Sequence, residues 1–344
     1  MKASPRVDVV VLNYNGRKFL DDCFQSLRQT DYSNFKVYLL DNGSTEDDAG
    51  YVRQHYPEVE VLRIEINQGF CAAYNIGFKL CNGKYFVCLN NDVKVKPDWL
   101  APLVQLAESD ERIAAVQPKL LYFFDERQFE YAGASGGMID HYGFPFARGR
   151  MFTTMEEDTG QYDDSADIFW ATGAALFLRK SAVEMIGGFD ETIVYHMDEI
   201  DLCWRFHLIG YTCRVAPQSV VLHVGGGTII TDSFKKMYWN HRNSIYLMLK
   251  NFSFYHALTK TAVHVLFDYV AVAQSIVTLK FTRAKAVLAA HFWIVSHLPL
   301  ILKNRSLVQA ARKTKDEDIL RMMFRKSIVV QYFLFKRKKY SQLS

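Results

Sequence analysis

Val7-Asp8-Val9-Val10-Val11-Leu12, closed by Asn13-Tyr14-Asn15, is the stretch on which the fold turns. It is a β-branched run with little alternation, as expected of a strand covered on both faces. Next to it, Gly16 to Gln29 carries Phe19, Leu20, Phe24 and Leu27 at helical spacing. Lys36-Val37-Tyr38-Leu39-Leu40 reads as a second strand, ended by Asp41-Asn42-Gly43-Ser44. A polar helix, a strand over Val59 to Ile64, a small-residue helix from Gly69 to Leu80 and a strand over Tyr85 to Leu89 follow. Strand and helix alternating in this way predict an α/β fold with a doubly wound, mostly parallel sheet. Asn13-Tyr14-Asn15, Asp41-Asn42-Gly43-Ser44 and Asn90-Asn91-Asp92 all follow the C-terminal ends of predicted strands, the edge at which open α/β sheets bind ligands.

From Arg112 to Gly173 the pattern loosens, broken by Gly133, Gly136, Gly137, Gly143 and Gly149, and reads as loops and short antiparallel strands. Order returns at Ala174 to Leu178, with helices from Ser181 and from Glu199 to Leu208. Beyond Phe234 the chain reads as amphipathic helix almost to Lys336-Arg337-Lys338-Lys339. A length of 344 residues suits one large α/β domain with an appendage. The expected division is a catalytic domain over 1–250 and a basic helical region over 251–344. With 49% hydrophobic and 23% charged residues, disordered, collagenous and low-complexity classes are excluded. The six cysteines contain no CxxC pair, which argues against a disulfide framework or zinc ribbon and for a reducing compartment.

The net charge of +4 hides an asymmetry. Residues 1–233 hold 21 Lys/Arg against 33 Asp/Glu, whereas residues 234–344 hold 20 against 4. A segment at +16 with Phe, Tyr, Trp and Leu interleaved is expected to seek an anionic membrane surface. No recognised nucleic-acid module accompanies it, so no nucleic-acid partner is expected. The apolar run Val9 to Leu12 is too short for a signal-peptide core, and the chain is expected to stay in the cytoplasm. Ala286 to Leu302, 17 uncharged residues, sits at the short edge of a membrane span and is expected to lie in the interface.

Three places could carry chemistry. Asn90-Asn91-Asp92 offers oxygen ligands to a hard divalent ion, the plain alternative being a turn. Asp198-Glu199-Ile200-Asp201 sets three carboxylates at a helix start, where capping is the ordinary role. Repulsion and partial burial there would raise one pKa, as a general base needs. His223, after Val220-Val221-Leu222, is a core or loop residue in the bland reading and a third metal ligand in the sharper one. Gly225-Gly226-Gly227-Thr228 lacks a following Lys-Ser/Thr, and no GxGxxG follows the first strand, which weakens dehydrogenase and P-loop readings.

Taken in order, Asn13-Tyr14-Asn15, Leu40-Asp41-Asn42-Gly43-Ser44, Asn67-Gln68-Gly69-Phe70, Leu89-Asn90-Asn91-Asp92, Thr172-Gly173-Ala174-Ala175, Gly187-Gly188-Phe189-Asp190, Asp198-Glu199-Ile200-Asp201 and His223 resemble inverting glycosyltransferase family two, with its GT-A fold. The likeness is to the rhamnosyltransferase-like bacterial branch and covers roughly residues 6–250. It implies a metal-dependent inverting enzyme that moves a sugar from a nucleotide-diphosphate donor to a hydroxyl of a lipid-linked saccharide in cell-surface glycan synthesis. It places Asn13, Asn15, Asp41 and Ser44 against base and ribose, and Asn67 and Gly69 in a loop closing on the donor. Asn90, Asn91 and Asp92 fall at the family's DxD, which holds Mg²⁺ or Mn²⁺, and His223 can complete that shell. Gly173, Ala174 and Trp204 fall on the acceptor side.

Two departures stand out. The DxD position reads Asn-Asn-Asp, leaving one anionic ligand in the triplet. The family's Glu-Asp pair reads Asp198-Glu199, so the matching base is Glu199, with Asp198 as the substitute. These departures are the support for a competing reading, a non-catalytic membrane-associated scaffold that binds sugar nucleotides. A nucleotidyltransferase is a third, disfavoured because no basic triphosphate loop follows the first strand. The resemblance and the basic tail together imply a peripheral protein on the cytoplasmic face of the inner membrane.

Overall fold

In the computed structural model, which describes residues 4–225 and 233–343, strand β1 (Val7–Asn13) runs parallel between β2 (Phe35–Asn42) and β4 (Tyr85–Asn90). β3 (Glu60–Ile64) extends the parallel set beyond β2. Helices α1 (Arg17–Arg28), α2 (Asp48–His55) and α3 (Gly69–Leu80) make the crossovers. The strands β5 (Val93–Val95) and β6 (Ile113–Tyr122) follow, with α4 (Leu100–Ser109) between them.

The loose region resolves into the short strands β7 (Asp125–Phe129), β8 (Gly137–Ile139), β9 (Pro145–Ala147), β10 (Arg150–Met151), β11 (Thr154–Met155) and β12 (Ala166–Ile168). Of these, β8 to β11 form a separate four-stranded antiparallel sheet, as the glycine-broken pattern suggested. β13 (Ala175–Arg179), α5 (Lys180–Ile186), α6 (Asp198–Leu208) and β14 (Thr212–His223) complete the main sheet. Its order is β12-β14-β6-β13-β4-β1-β2-β3, and β13 is an antiparallel insertion between β4 and β6. The fold is thus mixed α/β with a mostly parallel centre.

Both faces of β1 are covered, which explains why apolar residues point to both sides of it. Val7, Val9 and Val11 pack with Leu20, Phe24 and Leu100, while Val10 meets Leu40, Phe78 and Phe86 on the opposite face. Asp8 is tolerated there because Asn82 N (2.8 Å), Gly83 N (2.7 Å) and Arg6 Nε (2.9 Å) all donate to it.

After β14 the chain is helical: α7 (Phe234–Asn251), α8 (Phe254–Val277), α9 (Phe281–Ser296), α10 (Leu298–Ala311) and α11 (Asp316–Met322). Phe252, Ala257, Ile294, Ile301 and Ile319 join the same core as Tyr74 and Trp204, so these helices share their packing with the sheet. Asp268 of α8 binds His241 of α7 (2.7 Å) and His291 of α9 (2.8 Å). The run Ala286 to Leu302 is broken at His297, with Pro299 in the first turn of α10 and a 71° bend between α9 and α10. Among the described residues no single helix is long and apolar enough to cross a membrane. Ile328, Tyr332 and Leu343 pack on Phe146 and Met151, so the end of the chain lies against the small sheet. All six cysteines are buried and free.

Candidate active site

The C-terminal ends of β1 and β2 meet in a buried amide and carboxylate network. Asn13 Nδ2 is shared among Asp48 Oδ2 (2.8 Å), Ser44 Oγ (3.2 Å) and Asp41 Oδ1 (3.3 Å). Asn91 Nδ2 donates to Asn13 Oδ1 (2.7 Å), and a Cβ on Gly16 would fall 1.9 Å from that amide, so a side chain there would displace this hydrogen bond. Asn15, exposed and left-handed at φ 52, donates its N–H to Ser44 Oγ (3.0 Å) and accepts from Thr45 N (2.8 Å). Asp41 Oδ2 has no hydrogen bond and faces Arg63 at 3.4 Å. Asn67 is fastened to β2: its Oδ1 accepts from Asn42 Nδ2 (3.0 Å) and Gly69 N (2.8 Å), with Gly69 at φ 78. Thus Asn13, Asn15, Asp41 and Ser44 do converge, and Asn67 and Gly69 flank them.

At the end of β4, Asn90-Asn91-Asp92 is a tight turn into β5 and also faces His223. His223 Nε2 lies 3.1 Å from Asp92 Oδ1 and 3.5 Å from Asn90 Nδ2. On the other side of the ring, Nδ1 is 3.2 Å from Glu130 Oε2, an ion-pair contact. Burial alone would depress the imidazole, but the Glu130 and Asp92 carboxylates outweigh it and push it up to about 10. Burial likewise favours protonation of Asp92, and the facing imidazolium overcomes this and lowers it. Among the described residues no three His, Cys, Asp or Glu side chains gather about one point as a metal cluster. Asp92 and His223 supply one oxygen and one nitrogen at adjacent positions, with Glu130 behind the imidazole as an orienting carboxylate. This donor set, an oxygen and an imidazole nitrogen, would suit a divalent ion that takes its other ligands from elsewhere.

The carboxylates of α6 separate by role. Asp201 is fully buried and accepts from Arg205 Nε (2.8 Å), Lys250 Nζ (2.8 Å) and Asn251 Nδ2 (3.0 Å), which makes it structural. None of the three caps the helix. Burial raises the carboxyls of both Asp198 and Glu199 above the usual range; the Asp198 charge lifts Glu199 further, and the two side chains are hydrogen-bonded. Asp198 also lies near enough to Cys88 on β4 to raise its thiol, after burial. The turn before them is strained: His196 (φ 62) and Met197 (φ 67) are both left-handed. Asn243 of α7, fully buried, holds that turn by donating to Tyr195 O (2.7 Å) and His196 O (2.8 Å).

On the expected acceptor side, Gly173 and Ala174 form the turn before β13. Ala174 O accepts from Asn90 N (2.9 Å), so this turn borders the Asn90 end of β4. Trp204 is corrected: it is fully buried between Phe169 and Phe252 and offers nothing to an acceptor. Five positions after Glu199 on one helix, it points about 140° away around the axis. Gly226 to Thr228 lie outside the described residues. Glu130, Arg150, Asp48 and Asn243 escaped the sequence reading. Glu130 and Arg150 stand in the glycine-broken region and carry no motif, and Asn243 looks like any polar residue of an amphipathic helix.

The mostly parallel sheet in this strand order matches the GT-A fold. Residues 8–183 match the profile of Glycosyl transferase family 2, and the chain belongs to that family. It is 28% identical over 247 residues to the O-antigen biosynthesis protein RfbC of Myxococcus xanthus, a match covering 70% of this chain and 19% of that one. It is 26% identical over 259 residues to the N-acetylglucosaminyl-diphospho-decaprenol L-rhamnosyltransferase of Mycobacterium tuberculosis, covering 70% of this chain and 83% of that one. Among solved structures, GalNAc-T7 with UDP, GalNAc and Mn²⁺ superimposes with a TM-score of 0.60 at 15% identity, over 87% of this chain and 58% of that one. The Pyrobaculum calidifontis mannosyltransferase PcManGT, in complex with GDP-Man and Mn²⁺, gives 0.51 at 16% identity, over 90% and 86%. At these identities the structural likeness speaks for the fold.

Proposed function

We propose that this chain is an inverting glycosyltransferase. It moves a sugar from a nucleoside-diphosphate donor, with Mg²⁺ or Mn²⁺, to a hydroxyl of a lipid-linked saccharide during assembly of a surface polysaccharide. The observation that carries the proposal is His223 held between Asp92 and Glu130 at the sheet edge. The lipid-diphosphate acceptor named for the mycobacterial relative and the O-antigen role named for the myxobacterial one support the acceptor class.

In this reading Asp41 Oδ2, an acceptor without a hydrogen bond, takes an N–H or hydroxyl of the nucleoside. Asn15 borders the same place, and the buried Asn13, Ser44 and Asp48 keep that rim rigid. Asn67, Gly69 and Asn91 line the donor side. Asp92 and His223, with Asn90 beside them, would hold the divalent ion, which supplies Lewis-acid neutralisation of the departing diphosphate. Glu199, its affinity for protons raised by burial and by Asp198, accepts the proton of the acceptor hydroxyl as that oxygen attacks the anomeric carbon from the opposite face. A single displacement inverts the anomeric centre.

Exposed Leu266, Val270, Val277, Leu279, Phe292 and Val295, beside the exposed Lys280 and Lys285, support attachment to an anionic membrane at its cytoplasmic face. The test of the enzymatic reading is a panel of sugar nucleotides with and without Mn²⁺, the product's anomeric configuration being read by NMR. Asp92→Ala and Glu199→Gln are each expected to stay folded and lose transfer. Full transfer by both overturns the proposal.

A further inference from the structure

Arg150 opens β10 in the small antiparallel sheet, and its surroundings are unusual for a buried cation. The side chain is 7% exposed, its Nε has no partner, and it forms no ion pair or hydrogen bond among the described residues. The guanidinium lies over the Tyr131 ring, 4.8 Å from the centroid. Lys236, in the first turn of α7, brings its Nζ to 5.4 Å from the centroid of that same ring and also has no carboxylate partner among the described residues. Two cations therefore share one aromatic side chain, which is itself 41% exposed.

The position of this group relates it to the reaction centre. Tyr131 follows Glu130, whose carboxylate reaches His223. Burial weakens the guanidinium's hold on its proton, and Tyr131, Glu130 and Glu199 nearby oppose that. Lys236 lies close enough to His196, two residues before Asp198, to add to the burial that keeps that imidazole neutral. Tyr131 directly follows Glu130, so the pair adjoins the side of the site where Glu130 meets His223.

An arginine with carboxylates at hand ordinarily forms a forked ion pair with one of them. Here Arg150 has Glu130 and Glu199 in its neighbourhood and pairs with neither. A cation–π contact is weak compensation for a largely buried guanidinium whose Nε has no partner, and an anion entering beside it would supply what is lacking. The fork of Arg150 suits two oxygens of one phosphoryl group, and the Lys236 ammonium suits a neighbouring one as a point charge.

We propose that Arg150 and Lys236, flanking Tyr131, form a diphosphate-binding subsite beside the reaction centre that takes the acceptor's diphosphate. The chemistry is that of a diphosphate, which a lipid-diphosphate acceptor and a nucleotide donor both carry. The assignment to the acceptor rests on the glycosyltransferase reading above.

The test uses the full chain. Inorganic diphosphate is titrated calorimetrically in EDTA, which removes metal-dependent binding at Asp92. Saturable binding is expected, weakened about tenfold or more by Lys236→Met, at a half-buried helix position, and by Arg150→Lys, which keeps the charge and loses the fork. Absence of saturable binding to the wild type, or equal affinity in folded variants, overturns the subsite. Farnesyl diphosphate is then titrated in Mn²⁺ against the chain saturated in turn with UDP, dTDP and GDP. Retained binding supports the acceptor placement, and displacement assigns the subsite to the donor and overturns that placement. Sugar transfer by the wild type, measured alongside, separates the two readings: transfer without diphosphate binding sinks the subsite alone.

Discussion

Asn243→Ala tests how the helix start that carries Asp198 and Glu199 is held. The Asn243 amide donates to Tyr195 O and His196 O, and its oxygen accepts from Arg242 Nε at 2.7 Å. At about 1 kcal/mol net per hydrogen bond, loss of all three predicts a destabilisation of about 3 kcal/mol. The left-handed conformations of His196 and Met197 cost about 1–2 kcal/mol each, a sum of the same size, so the unclamped turn is free to relax. Asp198 and Glu199 begin the helix immediately afterwards, and a shift of about 1 Å in a reacting group can cost about 10²-fold in rate. The expected result is therefore a stability loss of about 3 kcal/mol in denaturant, a kcat for transfer lowered about 10²-fold, and unchanged donor affinity. Asn243→Asp keeps the side-chain volume and the acceptor for Arg242 but removes both donors, and it should lower kcat as alanine does. Loss of stability with wild-type kcat in both variants would refute the positioning role and leave the clamp purely structural.

Glu199→Gln should lower kcat about 10²–10⁴-fold. Because burial raises the Asp198–Glu199 pair, the wild-type rate should climb with pH along a limb displaced above the ordinary carboxylate range of about 4, and a limb at pH 4 would contradict the assignment. His223, pushed up to about 10 by Glu130 and Asp92 against its burial, must shed a proton to bind metal. Mn²⁺ binding with a nucleoside diphosphate should therefore tighten as pH rises and release a proton, seen as a buffer-dependent calorimetric enthalpy, and Glu130→Gln should diminish that release. Burial disfavours the charge on Asp268, but His241, His291 and His264 lower its pKa overall. Its contribution to stability is thus complete above about pH 4 and lost as pH falls towards the depressed native value; Asp268→Asn should cost about 1–3 kcal/mol and flatten that dependence in acid denaturation. Reversing Lys280 and Lys285 to glutamate in the full chain should weaken partition into anionic vesicles at least tenfold, given about 1 kcal/mol per basic residue near the surface; equal partition would remove these residues from the membrane face.

What was legible in the chain was whatever local periodicity encodes. The β-branched Val7 to Leu12 run announced a strand buried on both faces, and the polar clusters after the strands announced residues that converge at one edge of the sheet. The short glycine-punctuated strands and the helical C-terminal region followed from the same kind of reading, and motif order was enough to point to the family. Tertiary structure decided which of those residues are free to act. Asp201 and Glu199 look equivalent in Asp198-Glu199-Ile200-Asp201, yet Arg205, Lys250 and Asn251 bind the former while Asp198 and burial lift the latter. Trp204 passed for an acceptor residue until helix rotation turned it into the core. Glu130 behind His223, Arg150 over Tyr131 and Asn243 under the strained turn have no signature of their own. Each acts through a partner 19 to 93 positions away in the chain. Periodicity reports which way a side chain points relative to its own element, but charge balance, pKa and strain depend on which other elements arrive there, and that is fixed only when the sheet closes and the helices dock.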